Sequence, residues 1–251
     1  VPFHYYGIKD SLLSYADDES GEGIRRIIQQ IASDTHCEFV KEQIEKYRPT
    51  NGKLKCVGFC RTVEHARLMS ENMSKLGYVC EYLSGDNSTG ERIKAFSDLQ
   101  DESNPLSIIF AVDILNEGID VPSMNMVLFL RPTESSTIFI QQLGRGLRKY
   151  QGKSFLTVLD FIANSYRRSV QIAIGLGSLG RSGTVDKATA RDAISNDYKS
   201  MVPPGVEIHF DKESKEEILK SIDSSNFNRK EFLKQDYQNS KRYLKLKPGE
   251  Y

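Results

Sequence analysis

Apolar positions change their period several times along the chain, and each change marks an element. An aromatic opening (VPFHYY) precedes Ile24, Ile27, Ile28 and Ile31 at helical spacing, followed by Phe39, Val40, Ile44 and Tyr47. The segment before residue 50 therefore reads as mainly helical, and Pro49, Asn51 and Gly52 stop it. Short continuous apolar runs then alternate with amphipathic stretches. KCVGFC (55–60) suits a buried strand, Val63, Ala66, Met69, Met73 and Leu76 line one helical face that ends at Gly77, and residues 78–83 give a second strand. A turn at Ser84, Gly85 and Asp86 leads to a helix over 92–99, strands at 106–112 (LSIIFAV) and 126–130, a helix over 135–143 and a strand at 155–161 (FLTVLDF). Strands separated by helices predict an α/β fold, a parallel sheet with helices on both faces.

Beyond residue 165 the pattern gives way to Gly175, Gly177, Gly180 and Gly183 with serines between them, which reads as a linker. A turn and short strand in VPPGVEIHF (202–210) and helices over 215–222 and 229–244 complete the chain. The predicted organisation is a mainly helical N-terminal connecting segment (1–52) packed on an α/β domain (53–170), then a linker and mainly helical C-terminal extension (171–251). From 229 to 247 seven Lys or Arg oppose Glu231 and Asp236, an excess of five positive charges that suits a solvated helix face or a phosphate-contacting one.

Composition narrows the function classes. With 251 residues, 39% hydrophobic, and 34 Lys plus Arg against 34 Asp plus Glu, the chain has an ordinary core and no net charge. Polyanion binding must then come from local patches. There is no apolar run of about 18 residues and no basic-then-apolar leader, so a cytoplasmic protein without a membrane segment is expected. Cys37, Cys56, Cys60 and Cys80 lack metal-binding spacing and suit reduced core thiols, and His4, His36, His65 and His209 are scattered, so no metal site is expected.

Candidate chemistry lies in three loops that come after strands, where an open parallel sheet binds ligands. In the first, Arg61 and Thr62 bring a guanidinium and a hydroxyl to the start of a helix, a place for a phosphate, although Thr62 also suits a simple N-cap. In the second, DILNEGIDVP (113–122), Gly118 permits close backbone approach and Asp120 offers a carboxylate to ribose hydroxyls; turn glycine and capping aspartate is the structural alternative. In the third, QQLGRGLR (141–148), Arg145 and Arg148 lie three apart and can present two forks to one phosphate, or form surface ion pairs.

Together KCVGFCRTVEHA, FAVDILNEGIDVP and QQLGRGLR resemble motifs IV, V and VI of the second, C-terminal RecA-like domain of superfamily 2 DEAD/DEAH-type helicases over roughly residues 53–165. With LRPTESST, LTVLDFI and the flanks VPFHYYGI and VPPGVEIHFDKES, the chain is similar to bacterial helicases related to the type III restriction enzyme Res subunit. The resemblance implies a RecA-like sheet and ATP with Mg2+ as cofactor. It makes Arg148 the arginine finger and Arg145 its phosphate-binding companion, with Gln141, Gly118 and Asp120 lining the ATP cleft. It sets Arg61, Thr62, Ser84, Gly85, Val112, Asp113 and Asn116 along the nucleic-acid backbone. Val112 departs from the family, where many members have Thr and so a hydroxyl for phosphate.

ATP hydrolysis also needs a phosphate cradle and a magnesium-holding carboxylate. Gly146 to Ser154 (GLRKYQGKS) imitates a P-loop but has one residue too many between its glycines and runs into a strand instead of opening a helix. The expectation is a monomeric C-terminal motor half, inactive alone, whose partners are an N-terminal RecA-like domain of the same protein and nucleic acid, DNA favoured over RNA. An RNA helicase fragment and a non-catalytic nucleic-acid-binding or docking module are the alternatives. A metabolic nucleotide enzyme lacks GxGxxG after the first strand.

Overall fold

The runs that are apolar at every position become the middle of a parallel sheet. A computed structural model of the chain describes residues 1–12, 26, 28–30, 33–50, 52–112, 121–131, 142–162, 187–199 and 202–224. Its elements are β1 (Phe3–Lys9), α1 (Asp34–Tyr47), β2 (Cys56–Phe59), α2 (Val63–Lys75), β3 (Cys80–Leu83), α3 (Thr89–Gln100), β4 (Ile108–Ala111), β5 (Met126–Phe129), β6 (Leu156–Ile162), α4 (Lys187–Ser195), β7 (Glu207–Phe210) and α5 (Lys212–Ser224). The strands form one sheet in the order β3-β4-β2-β5-β6-β1-β7, and each pairing is parallel.

β2, β4 and β5 are buried at each position, as strands covered on both faces must be. Alternation along the strands sends Val57, Phe59, Ile109, Ala111, Val127 and Phe129 into one core with Ala95, Phe96 and Leu99 of α3, Ile194 of α4 and Ile218 of α5. The intervening Cys56, Ile108, Phe110, Met126 and Leu128 pack against Val40 and Ile44 of α1 and Ala66, Met69 and Met73 of α2. Helices thus cover both faces of a RecA-like parallel sheet, as the strand-helix alternation predicts. Cys37, Cys56 and Cys60 are buried free thiols, and Cys80 is half-buried.

Local signals set the helix ends. Ser33, Thr62 and Ser88 are N-caps whose side-chain oxygens accept from the backbone N–H of His36, His65 and Glu91; such a cap contributes about 1 kcal/mol. α2 stops where Gly77 takes a φ of +100°, the left-handed conformation that glycine adopts without a Cβ penalty.

One strand is not announced by the hydrophobic pattern. The opening FHYYGIK is β1, which lies between β6 and β7 with Phe3 opposite Leu156 and His4 opposite Glu207. Its rings are half-buried on one side and buried on the other, so hydropathy barely alternates, and its partners are too distant in sequence to leave a local trace. β1 and β7 come from before residue 53 and after residue 170 yet complete the same sheet. Arg26 and residues 28–30 are helical. Ile24, Ile27 and Ile31, most of the helix expected over 135–143, the glycine-rich 175–183 and the basic 229–247 lie outside the described residues. Among the described residues no helix is long and apolar enough to cross a membrane.

Asp160 of β6 is buried and accepts the Tyr5 hydroxyl at 2.6 Å. Burial pushes its carboxyl up to about 7, against the lowering pull of that hydrogen bond. Because the folded value lies above the unfolded one of about 3.9, the stabilisation from this group is complete below about pH 4 and is lost as pH rises to about 7. Asp160→Asn keeps an acceptor for Tyr5 without the charge. Thermal denaturation should show the variant several degrees more stable than wild type at pH 8 and little changed at pH 4; a variant less stable at pH 8 contradicts this.

Candidate nucleotide and nucleic-acid surfaces

β3, β4 and β2 finish side by side, with Leu83 and Phe59 both opposite Ala111. The ladder runs one step further, through Cys60 N–H to the Ala111 carbonyl at 2.9 Å and Val112 N–H to the Leu83 carbonyl at 3.1 Å. Arg61 with Thr62, Val112, and Ser84 with Gly85 are therefore neighbours at three adjacent carboxyl ends. Arg61, Thr62 and Val112 are half-buried, Gly85 is exposed and Ser84 is buried. α2 and α3 begin beside this edge, and their N-terminal dipoles favour anions there. Gly118, Asp120, Asp113, Asn116 and Gln141 lie outside the described residues.

Much of the polar equipment at this edge shapes the loops. Thr62 Oγ1 accepts from His65 N–H at 3.1 Å, the capping role that its position also suits. Ser84 Oγ accepts from Asp86 N–H at 3.2 Å, while Ser84 N–H donates to Asn87 Oδ1 at 2.8 Å. A Cβ on Gly85 would meet nothing within 4 Å, so backbone there is open to a ligand. Arg92, a buried arginine of α3 that sequence reasoning misses, clamps this turn from below. Its Nε donates to the Asn87 carbonyl and its Nη2 to the Gly85 carbonyl, each at 2.9 Å. Arg131, buried just after β5, is missed as well, although a charge directly after an apolar run (MVLFL) is a visible signal.

Two of the scattered histidines meet this edge. His36 Nε2 lies 2.8 Å from Asp10 Oδ2 at the end of β1, and both side chains are buried. His65 Nδ1 accepts from Arg61 N–H at 3.2 Å, fixing the backbone of the first loop. That bond requires an unprotonated Nδ1. Burial, then the nearby His36, Arg131 and Arg61, hold the His65 imidazole down to about 3. His65 was legible in principle, since it stands one turn before Met69 on the buried face of α2.

The third loop is seated elsewhere. Residues 142–146 are helical, with Gln142, Leu143 and Gly146 buried, Arg145 half-buried and Arg148 exposed. A Cβ on Gly146 would stand 2.6 Å from Leu156 Cδ2 and 2.9 Å from Met124 Cε, so any larger residue would have to push these side chains aside where the helix end rests on the starts of β5 and β6. Lys153 Nζ donates to the Pro122 carbonyl at 2.9 Å and to the Gly146 carbonyl. Its ammonium is thus turned onto protein carbonyls, and the GKS stretch leads into β6, unlike a P-loop. The expectation that all three loops gather at carboxyl ends is corrected for this one. A helix between parallel strands returns toward their amino ends, carrying Arg145 and Arg148 to the edge opposite Arg61.

The His65 geometry predicts that its imidazole stays neutral in NMR titrations down to about pH 4. A midpoint near the ordinary value of about 6.5 would contradict the Arg61–His65 bond.

Against known proteins, residues 36–150 match the helicase conserved C-terminal domain. The UvrABC system protein B of Kosmotoga olearia is 30% identical over 115 residues, covering 44% of this chain and 17% of that protein. DEAD-box ATP-dependent RNA helicase 53 of Oryza sativa subsp. japonica is 29% identical over 118 residues, covering 47% and 19%. A solved fragment described as an HsdR subunit of a type I restriction enzyme from Vibrio vulnificus shares the fold with a TM-score of 0.50 and 19% identity, over 66% of this chain and 33% of that one. The chain spans 17% to 35% of the length of the first curated relatives it matches. Over residues 36–150 the chain is thus similar to superfamily 2 helicases, at their conserved C-terminal domain.

Proposed function

We propose that the chain is the second motor lobe of an ATP-dependent helicase or translocase that acts on DNA, and that a preceding RecA-like lobe of the same protein holds ATP and magnesium. One observation carries the reading. The strand-end loops with Arg61, Thr62, Ser84, Gly85 and Val112 occupy one edge of the sheet, and the helix end that leads into Arg148 rests at the other. A machine that couples a nucleotide to a polymer needs two such surfaces on one rigid body.

The chemistry of the donors sorts the ligands. Guanidinium groups bind phosphate oxygens with two parallel hydrogen bonds and cannot ligate a cation, so Arg145 and Arg148 fit the ATP phosphates and leave magnesium to the other lobe. Arg148 serves as the arginine finger and Arg145 holds phosphate beside it, with Gln141, Gly118 and Asp120 completing the cleft. When bound, ATP with magnesium supplies the phosphoanhydride whose cleavage drives motion. At the carboxyl edge, the Arg61 guanidinium and the open backbone at Gly85 contact the sugar-phosphate chain, a role that the motif resemblance extends to Asp113 and Asn116. Backbone contacts make binding indifferent to base sequence and sensitive to salt. The Res-like motif strings support DNA as the track.

In the full-length protein, Arg148→Ala should lower nucleic-acid-stimulated ATP turnover by roughly a thousandfold or more and leave nucleic-acid affinity within a few fold; lost binding with intact turnover contradicts the assignment. Stimulation by single-stranded DNA should exceed that by RNA of equal length, and the reverse order would make the track RNA. Affinity of the isolated chain for a single strand should be weak and fall with rising salt, measured by fluorescence anisotropy; salt-independent binding counts against phosphate contacts.

A further inference from the structure

Lys153 lies outside the three motif segments, yet its ammonium joins two of them. Pro122 ends DILNEGIDVP and Gly146 ends the helical part of QQLGRGLR, and both carbonyls accept from Lys153 Nζ. The Lys153 side chain is half-buried. Without the ammonium, two carbonyl oxygens of like partial charge would face each other, one of them at a helix C-terminus where a cation is favoured. This seat leaves the next two residues little freedom. Gly146 rests so closely on Leu156 and Met124 that a Cβ would displace their side chains, and Leu147 N–H turns back to the Gly144 carbonyl at 3.2 Å. Arg148 comes one residue later.

We infer that Lys153 is a positioning residue for phosphoryl transfer: it locks the ends of the second and third loops together and so aims the Arg148 guanidinium at the phosphates. The inference rests on the reading of Arg148 as the finger. In the proposed motor Lys153 touches neither nucleotide nor nucleic acid. Its loss should therefore act on the transition state, where the finger is needed, and spare ground-state ATP binding.

The test uses stimulated ATPase of the full-length protein. Lys153→Ala should lower kcat about tenfold to a hundredfold, the scale of a small misplacement of a catalytic group, with KM for ATP within about twofold. Lys153→Arg, which can donate to both carbonyls, should recover most of the loss. Arg148→Ala combined with Lys153→Ala should be no slower than Arg148→Ala alone, because Lys153 acts through Arg148. Unchanged kcat in Lys153→Ala, or losses that multiply in the double variant, overturn the inference. If Lys153→Ala does not fold, Lys153→Arg and Lys153→Gln carry the test: kcat should stand near wild type for Arg and clearly lower for Gln, and Gln equal to or above Arg overturns it. If instead Arg148→Ala leaves turnover unchanged, the finger assignment itself fails, whatever Lys153 does.

Discussion

Strand polarity is the constraint on which the rest depends. All seven strands among the described residues run parallel, so each connection must cross back over a face of the sheet, and the covering helices bury both faces. That burial, made by the continuous runs of β2, β4 and β5, stabilises the domain through apolar area removed from water. It also sorts the polar residues. A side chain needed for chemistry cannot point into either core without a partner, so it collects at the two sheet edges where strands give way to loops.

The two edges differ in kind. At the carboxyl edge, helix N-termini, the half-buried Arg61 and an open glycine backbone come together, while buried groups brace the loops from within: Arg92 under the Ser84–Gly85 turn, His65 on the Arg61 backbone, and His36 with Asp10 at the end of β1. At the amino edge the helix carrying Arg145 ends against β5 and β6, and a lysine ties its last carbonyl to the neighbouring loop. The rigid sheet between them offers a physical route by which events at one edge reach the other. In the proposed motor this is how nucleotide and track communicate.

How much of this was legible in the sequence depended on range. β2, β4, β5 and β6 show as apolar runs, and the end of α2 shows at Gly77, because burial and backbone conformation are local demands. β1 does not, since half-buried aromatics blur its alternation and its partners stand far along the chain. The motif residues were visible as types, but the edge each occupies was not: the direction in which a connecting helix returns is a property of topology, and reading all loops as strand ends misplaced Arg145 and Arg148. Arg92 and Lys153 give no sign of themselves as braces because a charged residue that bonds to backbone carbonyls leaves no spacing pattern.

In the proposed motor this lobe completes a nucleotide site that another lobe must hold. The most direct measurement is phosphate release from ATP with magnesium and single-stranded DNA, made in parallel on the isolated chain and on the full-length protein. Turnover is expected only from the full-length protein. Sustained hydrolysis by the purified isolated chain would contradict the division of the site between two lobes.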